Sequence, residues 1–302
     1  MKLHRLSILV AALLLFGAAG AKAACNWTIA PTSVDFGLYS VFTPGNPAVS
    51  PPFALRCTPG ATATVTLSRG NNSAQIDPRT VSDGLGETID YNLFLDGAET
   101  QIFSDVRGGA QEIVTFVASG GNRDYSANIY GRLWPQQDAA VGVYYDYITV
   151  TLSWDKPQAG STTHTLTVRA EVTPECQATA TTLDFGTYQP IGTHATAPLD
   201  NQTALNVYCT RKAVATIAMS AGTYALGAQR RMRSALGDFL VYDLFSNSGM
   251  SVVWDGTNTV GVSSTSKFTP LGGGVPLYGR VPAGQDVSAG TYQDTVQAVV
   301  NY

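Results

Sequence analysis

One pattern of residues occurs twice along the 302-residue chain. VDFGLY (34–39) returns as LDFGTY (183–188), and DYNLF (90–94) as VYDLF (241–245). IYGRLWP (129–135) returns as LYGRVP (277–282), and GVYYDYITVTLSW (142–154) as GTYQDTVQAVVNY (290–302). The order is kept and the offset is nearly constant, so the chain carries two copies of one domain.

The repeat also organises the cysteines. Cys25 precedes Cys57 by 32 positions, and Cys176 precedes Cys209 by 33. Four cysteines admit three connectivities. Equal spacing in the two copies selects Cys25–Cys57 and Cys176–Cys209. An oxidising compartment is expected on separate grounds. Residues 1–23 read as a signal peptide, with Lys2 and Arg5 before an apolar run (6–16) and Ala21-Lys22-Ala23 as cleavage site. The mature chain would then be secreted by way of the periplasm, where thiols pair.

Each copy reads as all-β. TATVTLS (62–68), DYNLFLD (90–96), YDYITVTLSW (145–154) and TVQAVVN (295–301) alternate with period two and are rich in Val, Thr and Tyr. Gly, Asn, Pro and Ser clusters separate them. QRRMRSAL (229–236) is the one stretch that admits a helical turn. Tyr144 and Tyr292 open the last long strand, the place of a tyrosine corner. Short strands with one early disulfide per copy predict two tandem immunoglobulin-like β-sandwiches.

The copies differ at their ends. A polar loop, 155–163, follows Trp154 and leads to HTLTVRAEV (164–172). There Leu166, Val168, Ala170 and Val172 alternate with polar residues, as on a strand with one buried face. A nine-residue loop is long enough to reverse the chain, so this strand is expected to complete the first sandwich in cis. Burying the four side chains contributes on the order of 5 kcal/mol before entropy is subtracted. Nothing corresponds to it after Tyr302, so the second sandwich is expected to lack its last strand. An open sandwich edge invites strand addition by another chain.

The second copy resembles a spore coat protein U domain, the family that includes subunits of archaic chaperone–usher pili. The resemblance rests on the Cys176–Cys209 spacing, LDFG (183–186), RRM (230–232), VYDLF (241–245) and VVWDGT (252–257). YGRVPAGQ (278–285) and the closing AGTYQDTVQAVVNY (289–302) extend it. The first copy keeps Cys25, VDFG, DYNLF and YGR but has no RRM. The resemblance implies an adhesin-like domain at 24–173 and a pilin-type domain at 174–302. It also implies partners: a periplasmic pilus chaperone, an outer-membrane usher and the donor strand of the next pilus subunit. With no donor strand expected before Cys25, the chain resembles a two-domain tip adhesin at the cell surface, attaching to abiotic or host surfaces and supporting biofilm. A non-adhesive pilus subunit or a spore-coat-type secreted subunit is the alternative.

Other chemistries find little in the residues. Without the leader the chain carries seven net negative charges and no basic cluster, which disfavours nucleic acid. His164 and His194 have no nucleophile or metal ligand at motif spacing, so neither an enzyme, a cofactor nor a metal site is expected. The candidate surface-binding loop is VFTPGNPAVSPPF (41–53), with Val41, Phe42, Pro44, Val49, Pro51 and Phe53, since prolines hold apolar side chains out at little entropic cost. Val81–Leu85 and Ala139–Val143 are further candidates.

Overall fold

The computed structural model describes residues 25–45, 47–105, 109–115, 121 and 123–302. The expected signal peptide lies outside the described residues. Among those described, regular structure is strand apart from two single-turn 3₁₀ segments, and no helix is long and apolar enough to cross a membrane.

The first domain packs two sheets face to face. The smaller contains Cys25–Ile29, Pro52–Cys57 and Arg123–Asn128, antiparallel in that order. The larger is built on the hairpin of Gly142–Trp154 with Gly160–Val172, in continuous register from Gly142↔Val172 to Trp154↔Gly160. The period-two pattern is realised along it. Tyr144, Asp146, Ile148, Val150 and Leu152 point into the core, and the intervening residues point out.

The turn of this hairpin is residues 155–159. The sequence expectation of a loop over 155–163 is therefore corrected, because Gly160 to Thr163 pair with Trp154 to Thr151 and extend the strand. Gly160–Val172 also pairs in parallel with Ser33–Leu38. It thus lies between an early strand and a late one, with Leu166, Val168, Ala170 and Val172 all in the core.

The second domain repeats the plan. Leu199–Cys209, Val275–Val281, Phe239–Phe245 and Arg230–Ser234 form the centre of one sheet, and Val260–Ser263, Val214–Met219 and Ala298–Asn301 form the other. Trp254 fills the core and donates its indole N–H to the Ile217 carbonyl at 2.9 Å. The stretch 229–236 makes no helical turn. Arg230–Ser234 is a strand, which directs the buried Arg230 guanidinium at the carbonyls of Ser220 (2.8 Å) and Trp254 (2.6 Å).

Both cystines close at the start of a domain, Cys25–Cys57 in the first and Cys176–Cys209 in the second. The domains stack head to tail. The Cys25–Cys57 end of the first domain also holds the hairpin turn 155–159, with Asp155 Oδ1 accepting from the Thr62 amide at 2.7 Å. Its opposite end meets the cystine end of the second domain. There the Val141 amide donates to the Arg211 carbonyl (3.0 Å), and Arg211 donates to the Asp138 carbonyl (2.9 Å) and pairs with Glu87. Lys212 reaches the same Glu87 carboxylate at 2.9 Å. Asp138 accepts from the Ser266 hydroxyl (2.7 Å) and the Lys267 amide (3.0 Å), and Ser40 donates to Glu175 (2.6 Å). Val141 packs against the hydrophobic core of the second domain.

Candidate strand-acceptor groove

Equivalent residues of the two domains differ in one respect. In the first domain Val34, Phe36, Tyr39, Tyr144, Ile148, Val150 and Leu152, on the segments that flank Gly160–Val172, are buried. Their counterparts Leu183, Phe185, Tyr188, Tyr292, Val296, Ala298 and Val300 pack on the second core but stay partly exposed. Among the described residues no strand lies between 182–188 and 292–301. Ala298–Asn301 pairs with Val214–Met219 along one edge only, and 182–188 forms no ladder. An apolar groove flanked by unpaired backbone results, at the place that Gly160–Val172 fills in the first domain.

Local features hold its walls apart. Phe185 lies across Gly279, where a Cβ would stand 2.7 Å from the ring, so only glycine admits the aromatic wall. Tyr188 donates to the Pro282 carbonyl (3.0 Å) and accepts from the Gln285 amide (2.9 Å). On the other wall the Tyr292 hydroxyl donates to the Ser288 carbonyl four residues back (2.9 Å), as Tyr144 does to Ala140 (2.7 Å). Both have the hydrogen bonding of a tyrosine corner.

Asp294 anchors the late strand from below. It accepts from the Tyr242 hydroxyl (2.7 Å) and from the amides of Thr223 (2.9 Å) and Tyr224 (3.3 Å). Burial and the Asp294 carboxylate together push the Tyr242 phenol well up. The same arrangement occurs in the first domain: Asp146 accepts from Tyr91 (2.7 Å), Asn71 (2.9 Å) and Asn72 (3.3 Å). There Arg79 takes the place of Arg230, donating to Ser68 (3.0 Å) and Phe103 (2.6 Å) carbonyls. Burial lowers the pKa of both arginines. The first copy therefore keeps the arginine whose motif it lacks. The signal was available in the spacing, since Arg79 precedes DYNLF as Arg230 precedes VYDLF.

The candidate surface-binding loop is corrected in part. Val41 and Phe53 are fully buried in the first core, because Tyr39–Val41 and Pro52–Cys57 are core-lining segments. Val49 pairs into the sheet beside Gly131, and Phe42 is partly buried against the core. Pro44 is exposed and Pro51 half-buried. The loop starts at the domain junction, where Val41, Phe42, Gln136, Gln177, Lys267 and Phe268 line a shallow cleft. Val81–Leu85 and Ala139–Val143 lie at the same end. Val81 and Ala139 are buried, Leu85 is exposed, and Val141 is a junction contact. Hydrophobic content could not reveal this, since a core-lining loop and a displayed one have the same composition.

Two stacked β-sandwiches, one sealed by its own strand and one with an open groove, define a pilin-type fold. The chain belongs to the Spore Coat Protein U domain family, which matches it at residues 12–151 and again at 162–299. It is 34% identical over 166 residues to Protein U of Myxococcus xanthus, covering 50% of this chain and 90% of that protein. Among solved structures it is similar to the complex of a chaperone with a tip adhesion subunit, CsuC–CsuE, from the archaic chaperone–usher Csu pili of Acinetobacter baumannii. That likeness has a TM-score of 0.54 at 18% identity and covers 92% of this chain and 100% of the other.

Proposed function

We propose that this chain is the tip adhesin of an archaic chaperone–usher pilus, exported through the periplasm and displayed at the cell surface. In this reading residues 24–173 form the adhesin-like domain and 174–302 the pilin domain, with no catalytic role. The observation that carries it is the contrast between Val150, sealed in the first domain, and its partly exposed counterpart Ala298. The groove beside Ala298 suits a strand with apolar residues at every second position, since added strands gain affinity from main-chain bonds and specificity from alternate side-chain pockets. A periplasmic chaperone supplies that strand first, and the next pilus subunit replaces it at the usher. The likeness to a chaperone-bound tip subunit supports this order.

Surface attachment then falls to the free end of the first domain, where the 58–61 turn and the exposed 155–159 turn lie. This replaces loop 41–53 as the place to test. A peptide of residues 164–172, the strand that fills the equivalent groove, should bind the full chain and raise the melting temperature of the second domain. Val300→Asp should abolish both effects. Purified chain should also adhere to plastic or cells, and substitutions in 155–159 should reduce adhesion. Peptide binding without any adhesion would favour the non-adhesive pilus subunit. Absence of peptide binding and of chaperone capture would remove the pilus reading.

A further inference from the structure

The junction inside the chain is a pattern for a second junction outside it. Its first-domain half consists of Glu87, Asp138, Val141 and the Val41–Phe42 corner. Each has an equivalent at the free end of the second domain, and matching hydrogen bonds establish the equivalence. Gln137 donates its amide to the Tyr39 hydroxyl (2.8 Å) and accepts from the Asp90 amide (2.7 Å). Gln285 does so with Tyr188 (2.9 Å) and Val241 (2.7 Å). Asp286 therefore stands where Asp138 stands. The Asp83 amide bonds the Glu87 carbonyl (3.2 Å) as the Ser234 amide bonds that of Asp238 (2.9 Å), which places Asp238 at the position of Glu87. By the same register Ala289 replaces Val141 and Ile191 replaces Phe42.

In the first domain these groups are engaged. In the second they face solvent: Asp238, Asp286 and Ala289 are exposed, and Ile191 is 98% exposed. The Asp238 carboxylate accepts from the Ser288 hydroxyl and otherwise faces solvent. The positive half of the pattern is the turn after the second cysteine, Thr210-Arg211-Lys212, in which Lys212 adopts a left-handed φ of 64°. The first domain has the same turn with Thr58-Pro59-Gly60, Gly60 at φ 77°, and so lacks both cations.

We infer that the free end of the second domain is a docking face for the cystine end of a separate subunit of the same fold, one with basic residues in the turn after its second cysteine. Charge complementarity selects that partner, since Asp238 stands where Glu87 pairs with both Arg211 and Lys212, and Asp286 where Asp138 takes Arg211 on its carbonyl and Ser266 and the Lys267 amide on its carboxylate. It also discriminates against a second copy of this chain. Its first domain offers Pro59-Gly60, and the Arg211-Lys212 turn of its second domain is already paired with Glu87. The partner that fills the groove would thus be oriented at the pole as well, and the chain would not polymerise with itself. The inference rests on the acceptor reading of the groove but uses different residues.

The test grafts the missing cations onto the full chain as P59R/G60K, a turn whose φ already suits Lys at the second position. Sedimentation velocity at low salt should show head-to-tail association at least about tenfold tighter than the unsubstituted chain. The effect should fade at high salt, and D238N/D286N in the same chain should cancel it. P59R alone, which leaves Gly60 in place, should give a smaller shift and guards against misfolding of the double variant. Failure of both variants to associate, or association that survives D238N/D286N, would overturn the inference. Binding of the 164–172 peptide is measured on the same samples. A chain that takes the peptide yet fails to stack refutes the docking face alone.

Discussion

Lys267 of the second domain donates its ammonium hydrogen to the Val41 carbonyl of the first, 2.5 Å away. The lysine is 6% exposed, and burial lowers its pKa against the opposing pull of Asp138. Asp138 is therefore central to the junction: it holds Ser266 and the Lys267 amide and offsets the buried charge. Asp138→Ala should destabilise the junction by about 1–3 kcal/mol, the usual cost of leaving buried polar groups unpaired. Residual dipolar couplings would read the loss as a spread in the relative orientation of the two domains.

Acid should act on the same junction through Glu87. Hydrogen bonds from Lys212, then Arg211, hold this carboxyl below its ordinary value of 4.5 despite partial burial. A depressed carboxylate contributes stability that is fully present above the unfolded pKa and is lost as pH falls through the folded one. Junction melting should thus be flat above pH 4.5 and fall below it. Glu87→Gln should remove this acid-dependent step while lowering stability at neutral pH. Scanning calorimetry from pH 7 to about 3 distinguishes the two profiles.

One substitution compares the sealed and open domains. Val150→Ala removes methyls from a closed core, and core truncations leave a cavity term in addition to lost transfer energy. It should cost about 1.5–3 kcal/mol. Val300→Ala, at a half-open site, should cost less than about 1 kcal/mol in the free chain. Its cost should rise toward the Val150 figure once the 164–172 peptide occupies the groove. Equal costs without peptide would mean the groove is already closed in solution.

The duplication made much of this fold legible, because a repeated pattern fixes equivalences that a single copy leaves open. The cystines, the paired tyrosines and the strand of Leu166 to Val172 followed from period and spacing. The 41–53 loop did not. Val41 and Phe53 carry the same apolar signal whether they line a core or face a surface, and only the register of Pro52–Cys57 against Arg123–Asn128 decides. The junction was equally hidden. Glu87, Asp138, Arg211 and Lys267 are scattered in sequence and meet only through the stacking of the domains. Arg79 was missed for a smaller reason: its neighbours Pro78 and Thr80 conceal its likeness to the RRM stretch.

A glycine lies against each of the two aspartates, Asp146 and Asp294. Gly70 has φ +88°, and a Cβ there would lie 2.0 Å from Asp146 Oδ2; Gly222 has φ +93° and the same 2.0 Å approach to Asp294 Oδ2. Alanine at either site meets both a left-handed backbone and a carboxylate already fixed by a tyrosine hydroxyl and three amides. Relief requires the aspartate to move, and with it the strand that carries it. Gly70→Ala should cost roughly 3 kcal/mol or more, because the Asp146 strand is held on both sides and the strain cannot be shed. At Gly222 the Asp294 strand has one unpaired edge and can yield. Gly222→Ala should therefore cost less in global stability but loosen Ala298–Asn301. Hydrogen exchange should show faster amides there, with the first domain unchanged, as expected for distant sites. If Gly222→Ala left those amides protected, Asp294 would not be what holds the groove wall in register.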